Sequence, residues 1–466
     1  MRCVRVSLLL LIIMVLAGCA TFHNQPISPG NTLAAFDARR LDSAETRHAV
    51  EASLRQRVAP WPPQRWTLAL LTPVALHYSA VLAAAEAHAR TVNAGIQIAG
   101  EYPNPQFSFA PGYNTSSPAG ESPWIFDYGL SFPIPTAGRR GAAIRQARAL
   151  STAADFDMAS SAWQVRNRLR SRLLDLYAAG QQVALLRQQS ADQREILSLL
   201  QARYASGEIS APAWLEARSA YNAVQYALAS AKTRETIARD ALAAALGMPA
   251  TALQGVHFAF NEFTRPLDVA PQAAVQRNAL LNRADILAVL ARYAASQYAL
   301  QREIARQYPS LQIGPGFQWD QGQDKWSLGI SISLPIFNHN QGAVAAAEAR
   351  RREAAAQFEV VQNQVIAQVT QAMAAYRGAR DSLSLAMQAT DSAEQAAQAA
   401  TAQFKAGESD ALALFFARQT ALRSELAQLH ALISAQTALT RLENALQQPL
   451  KNGTHAPRVT LPKEHS

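Results

Sequence analysis

The chain has 466 residues, 49% of them hydrophobic and 17% charged, with a formal net charge of +9 at pH 7 and two cysteines. The length allows more than one structural unit. The charges are mixed in sign, with no basic stripe interleaved with aromatics, and this excludes a nucleic-acid-binding surface.

At the start of the chain, Arg2 and Arg5 precede the apolar run Leu8 to Ala17, which closes on Leu16-Ala17-Gly18-Cys19. That run is too short to cross a bilayer as a mature helix and ends in a lipobox. It predicts a lipoprotein signal peptide over 1–18, cleaved to leave Cys19 for acylation. Cys3 leaves with the signal, so the mature chain has one thiol and no intrachain disulfide. Residues 19–63 are expected to be a lipid-anchored tether, in which Pro26, Pro29, Pro60, Pro62 and Pro63 bracket a short polar helix over Leu33 to Arg57.

The next unit, 64–250, carries two predicted strands, about 105–113 and 124–134. In the second, Trp124, Phe126, Tyr128, Leu130, Phe132 and Ile134 alternate with Ile125, Asp127, Gly129, Ser131 and Pro133. Period-two alternation over roughly ten residues gives a strand with one apolar and one wet face. A proline-free, Ala-rich helix follows over Ala137 to Ser206, a Gly207 turn ends it, and a return helix covers Ala213 to Leu246. At 1.5 Å per residue the outgoing helix extends roughly 100 Å. Alanine at contact positions lets helix axes approach closely, so each pair is read as an antiparallel coiled-coil hairpin.

The same plan recurs over 265–450. Its strands are predicted at about 310–319 and 326–336, its long helix at Ala343 to Ala406, its turn at Gly407 and its return helix at Leu412 to Leu446. A shift of 200 places Arg203-Tyr-Ala-Ser-Gly207-Glu208 on Gln403-Phe-Lys-Ala-Gly407-Glu408, and Leu246 and Pro249 on Leu446 and Pro449. Self-similarity over that distance means duplication of a whole structural unit. A polar C-terminal tail covers 451–466.

Two features favour a membrane barrel over a soluble sandwich. The wet strand faces are mostly Ser, Gly and Gln, and Trp124, Trp319 and Trp326 border the expected hairpin loops, Asn114 to Pro123 and Asp320 to Lys325. Aromatic rings at the ends of strands of this length form the girdle of an outer-membrane barrel. Four strands cannot close a barrel, and open edges are not tolerated in hydrocarbon. The chain must oligomerise. Geometry leaves open two copies around a filled barrel of eight strands or three copies around a conducting barrel of twelve.

Strand pair, long helix, glycine turn and return helix, duplicated behind a lipobox, resemble the TolC-like outer-membrane factors over roughly Trp66 to Leu450. Tyr102-Pro-Asn-Pro105, Phe132-Pro-Ile-Pro-Thr-Ala-Gly-Arg-Arg140 and Pro335-Ile-Phe-Asn-His-Asn-Gln-Gly342 are most similar to the CzcC-like heavy-metal efflux branch. The resemblance implies a homotrimer whose twelve-stranded barrel in outer-membrane lipid continues into a periplasmic α-helical tunnel. It also implies two partners, a periplasmic adaptor and an inner-membrane RND-type pump, and it places Gly207 and Gly407 at the docking tips. Ala20 after the acylated cysteine, in place of the aspartate that retains such lipoproteins in the inner membrane, agrees with an outer-membrane address. Relatives carry carboxylates about six and nine residues beyond the second tip glycine, where this chain has Ala413 and Phe416. A ring of Phe415 or Phe416, with Glu408 and Asp410 nearby, is the candidate gate by hydrophobic constriction.

No cofactor and no enzymatic activity are expected. The nine histidines are scattered without ligand spacing, His339 included, and there is no phosphate loop, nucleophile elbow or paired acid/base context. The function indicated is a passive exit duct in a tripartite efflux system, with heavy-metal cations favoured by the branch motifs. The alternatives are a drug-efflux or type I secretion duct of the same fold, and a non-conducting structural coiled-coil lipoprotein. Small polar residues on the inward strand faces favour the duct, because a filled anchor would need bulk there.

Overall fold

The computed structural model describes residues 21–118, 120–265, 267 and 272–450. The expected signal peptide, Cys19 and the tail after Leu450 lie outside the described residues.

The N-terminal segment holds two helices, α1 (Pro29–Asp37) and α2 (Ala44–Leu54), where one was expected. Ser28 and Ser43 divide the segment because each hydroxyl accepts from a backbone N–H three residues on, at Asn31 and Thr46. The segment is also packed down instead of trailing as a tether. Leu41 and Val50 are buried in the main core, and Arg39 donates to the Gly247 carbonyl at 2.6 Å while lying over the Tyr78 ring. Burying aliphatic side chains of this size stabilises by about 1.5–3 kcal/mol each, enough to dock a short segment.

Each copy opens with a helix pair that the strand and hairpin patterns did not disclose: α3 (Leu68–Tyr78) and α4 (Ala80–Gly100), then α7 (Gln272–Asn282) and α8 (Ala284–Ala305). Between the pairs lie β1 (Gln106–Tyr113), β2 (Trp124–Ile134), α5 (Arg139–Ala205) and α6 (Ala211–Leu246). The second copy continues with β3 (Leu311–Asp320), β4 (Gln323–Ile332), α9 (Gln341–Ala406) and α10 (Ala411–Leu446). The long helices run 67 and 66 residues without a break, and both return helices have 36.

The 200-residue shift holds inside the cores. Val165, Leu169, Leu173, Leu242 and Leu246 of the first core superpose on Val365, Val369, Met373, Leu442 and Leu446 of the second. The copies differ where the N-terminal helices pack. At the end of α6, Gly247 has φ +70, and an added Cβ would lie 2.6 Å from the Tyr78 carbonyl oxygen. Its counterpart Gln447 also has positive φ, 48°, but its Oε1 has room to accept from the Ala284 N–H.

An ionic cluster joins the two cores. Arg166 and Arg170 on α5 reach the Glu443 carboxylate on α10 at 3.4 and 3.3 Å, with all three side chains about 4% exposed or less. Arg170 also donates to Thr440 Oγ1, and Gln436 Nε2 donates to the Arg265 carbonyl. Burial lowers the Arg170 pKa, and the Glu443 carboxylate opposes that effect.

The strands form one antiparallel sheet in the order β1-β2-β3-β4, so the two hairpins lie side by side. The second hairpin is tighter than the sequence suggested. Gln321 and Gly322 have φ of 54° and 97°, the signature of a two-residue turn with both central residues left-handed, and Asp320 pairs directly with Gln323. That turn brings the start of β4 forward to Gln323, and its pairing ends at Ile332 instead of running on to residue 336.

Candidate functional site

Strand register sorts the sheet into two faces. On one, Phe109, Tyr128, Phe317 and Trp326 lie in a row across all four strands, with Phe107, Leu130, Ile313 and Ile330 below them. The rings touch: Trp124 stacks on Phe126, Phe126 meets Trp319, and Phe317 meets Trp326 at 4.9 Å. On the other face Ser108, Gly129, Gly316 and Ser327 form the matching row, Gly314 pairs with Gly329, and Gln312 pairs with Ser331. Ser131 Oγ donates to Gln312 Oε1 at 3.1 Å, so polar groups on this face satisfy one another across the hairpins. Among the described residues β1 and β4 each pair on one side only, and the apolar residues of β4 from Trp326 to Ile332 are exposed. The sheet is an open arc, apolar on one surface, with two free edges.

The motifs that suggested a family lie where sheet becomes helix. Gly138 and Asn340 start the two long helices in the left-handed region, at φ 73° and 59°. Arg140 donates to the Gly100 carbonyl and lies 4.0 Å over the Tyr102 ring. Arg139 donates to the Ala305 carbonyl and Thr136 to that of Pro309, tying the first copy to the second. In the second copy Asn340 Nδ2 donates to the Glu303 carbonyl at 2.7 Å. Burial works against the Glu303 carboxylate, yet hydrogen bonds from Asn340, Arg302 and Arg306 outweigh it and hold the group below the usual carboxylate range. His339 belongs to this corner through its backbone N–H, which donates to Gln341 Oε1. Arg139, Arg140 and Asn340 fix the angle between sheet and helix, because each donates to a carbonyl at the C-terminal end of the preceding helix, where the regular helical bonds run out.

At the far end, both helical hairpins turn in the same way. Gly207 and Gly407 have φ of 79° and 78°. The Glu208 and Glu408 N–H groups donate to the Arg203 and Gln403 carbonyls, both at 2.9 Å, which is the Schellman closure of a helix. At the start of α10, Asp410 caps the return helix, accepting from the Ala413 N–H at 2.7 Å. Ser210 and Ser409 make no such bond, since the first turn of α6 begins with Pro212 near its start and Ser409 Oγ is buried. Gly207, Gly407, Glu408 and Asp410 are all exposed at the tips. Phe415 is 3% exposed and packs against Ile196 and Leu200 of α5 and Ala217 of α6, so it holds the hairpins together; Phe416 is 43% exposed.

A four-stranded arc continuous with two long helical hairpins is the protomer fold of outer-membrane channels. The family model described as outer membrane efflux protein matches residues 71–248 and 275–447, and the chain belongs to that family. The cobalt-zinc-cadmium resistance protein CzcC of Cupriavidus metallidurans is 26% identical over 325 residues, covering 68% of this chain and 76% of the relative. Among solved structures, CusC superposes with a TM-score of 0.68 at 16% identity, covering 92% of this chain and 99% of its own. The outer membrane protein VceC of Vibrio cholerae gives 0.67 at 20% identity, covering 82% and 97%. The open state of the MtrE outer membrane channel of Neisseria gonorrhoeae gives 0.66 at 18%, covering 83% and 90%.

Proposed function

We propose that three copies of this chain close a twelve-stranded barrel in the outer membrane and form the exit duct of a tripartite efflux system for heavy-metal cations. The observation that carries this reading is the open, two-faced arc. Joining β4 of one copy to β1 of the next removes both free edges, turns the aromatic face to lipid and gathers the Ser, Gly and Gln face around a lumen. Twelve strands leave that lumen open, whereas eight would leave room only for side chains. The hairpins, about 100 Å long, then reach toward a periplasmic adaptor and an inner-membrane RND-type pump, with Gly207 and Gly407 at the docking ends. The likeness to CzcC, a cobalt-zinc-cadmium resistance protein, favours metal cations as cargo. Deleting the chain should sensitise its host to cobalt, zinc or cadmium more than to lipophilic drugs; the opposite ranking would make it a drug duct.

Acylation at Cys19 would add a second hold on the outer membrane. Labelled palmitate should enter the parent protein and not Cys19→Ser. The constriction falls to Phe416, because Phe415 is spent on packing between the hairpins. Phe416→Ser should wet the tip and raise the planar-bilayer conductance of an intact assembly. Unchanged conductance in that variant would move the gate to the charges at Glu408 and Asp410.

A further inference from the structure

Above the tips, a cavity of about 360 Å³ lies between α5, α9 and α10. Each helix contributes one carboxylate, Asp192, Glu394 and Glu425, against a single guanidinium, that of Arg418. Among the described residues none of these four groups makes an ion pair or a side-chain hydrogen bond. The lining also includes Gln189 and Gln193, only 7% and 5% exposed, and the Oε1 of each is buried without a hydrogen-bond donor. Buried carbonyl oxygens are nearly always paired, so two orphans beside three carboxylates that make no ion pair mark a place where acceptors and negative charge are in excess.

We propose that this cavity binds a hydrated divalent cation of the magnesium class, which bridges the first hairpin to the second. A bare ion does not fit the geometry, since among the described residues no three or more His, Cys, Asp or Glu side chains approach closely enough to hold one. A hexahydrate does. Six waters at about 30 Å³ each occupy about half of the space, and water hydrogens supply the donors that the carboxylates and both amide oxygens lack. Magnesium dehydrates reluctantly and is commonly held through its waters, whereas protein zinc sites draw chiefly on His and Cys in direct contact, and the cavity lining contains neither.

The electrostatics of the cavity agree with the geometry. Burial, and then the charges of Glu394 and Asp192, raise the Glu425 pKa. A carboxyl raised in the fold contributes stability that is fully present below its unfolded pKa and is lost as pH rises through the folded value. At neutral pH the three carboxylates therefore push the hairpins apart, with Arg418 offsetting only part of the repulsion. A dication in the cavity offsets that repulsion.

The test uses the detergent-purified full assembly, stripped with chelator and titrated with Mn²⁺ while the electron paramagnetic resonance signal of the free aquo ion is followed. The expected result is about one bound Mn²⁺ per chain, displaced by Mg²⁺, with affinity reduced roughly tenfold or more in the double variant Glu394→Gln, Glu425→Gln. Circular dichroism and the oligomeric state show whether that variant is folded, and the single variant Glu425→Gln gives an independent reading if it is not. Absence of displaceable Mn²⁺ in the parent, equal affinity in a folded variant, or displacement by Zn²⁺ but not by Mg²⁺ would overturn the proposal. None of these outcomes bears on whether the barrel conducts.

Discussion

Gly314→Ala should abolish assembly of the barrel. An added Cβ would coincide with the Leu130 carbonyl oxygen, 2.6 Å from its carbon and 3.0 Å from Ser131 Cα, and all three are backbone atoms of β2. A side chain in the way can rotate; a backbone in mid-sheet cannot, and overpacking of this kind costs about 1–3 kcal/mol or more. The clash falls at the β2–β3 seam, the one ladder that joins the two copies, beside Pro315, which has no N–H to donate. Gly329→Ala is the matched control, because its Cβ would meet only the Gly314 carbonyl oxygen, at 3.6 Å. Heat-stable oligomer on gels should be lost in the first variant and kept in the second. Equal assembly of both would mean that the seam is looser than described.

The second large effect is expected at the join between the helical cores. Glu443→Gln removes the carboxylate paired with the buried Arg166 and Arg170 guanidiniums and leaves only the weaker pull of Glu262 on Arg170, and breaking a buried pair by removing one partner costs about 3–5 kcal/mol. The carboxylate also accepts from the Leu450 N–H through Oε1, a bond that the glutamine amide oxygen can keep, so the loss falls on the two guanidiniums. The midpoint of thermal unfolding should drop by several degrees, whereas Glu408→Gln at the exposed tip should leave it unchanged. A Glu443→Gln protein as stable as its parent would show that the cluster is not what couples the cores.

The features legible in the sequence were those written in a short period or a long repeat. Alternation set the strand faces, proline-free runs set the long helices, and the 200-residue shift set the duplication down to Leu242 and Leu442 within the cores. Helices α3 and α7 are hard to read because each has only 11 residues, α3 with Pro73 inside it; α4 and α8, with 21 and 22 residues, do carry an amphipathic period that marks them as helices. The register of the second hairpin was missed for a different reason: Gln321, a residue without turn preference, takes the left-handed conformation beside Gly322. At the tip, Phe415 and Phe416 are adjacent and chemically identical, and only the packing of Ile196, Leu200 and Ala217 tells them apart. Arg166, Arg170 and Glu443 could not be found from sequence, since their charges meet across more than 270 residues of chain.

The two-faced arc is the centre of the account, and cysteine scanning along β4 tests it most directly. Acylation of Cys19 would leave the mature chain without a free thiol, so each introduced cysteine can be followed alone. In outer-membrane preparations, cysteines at Ser327, Gly329 and Ser331 should react with a charged, water-soluble maleimide, and cysteines at Leu328 and Ile330 should react only with a lipid-soluble one. Uniform labelling along the strand, or labelling in the opposite phase, would contradict a polar lumen enclosed by a lipid-facing aromatic wall.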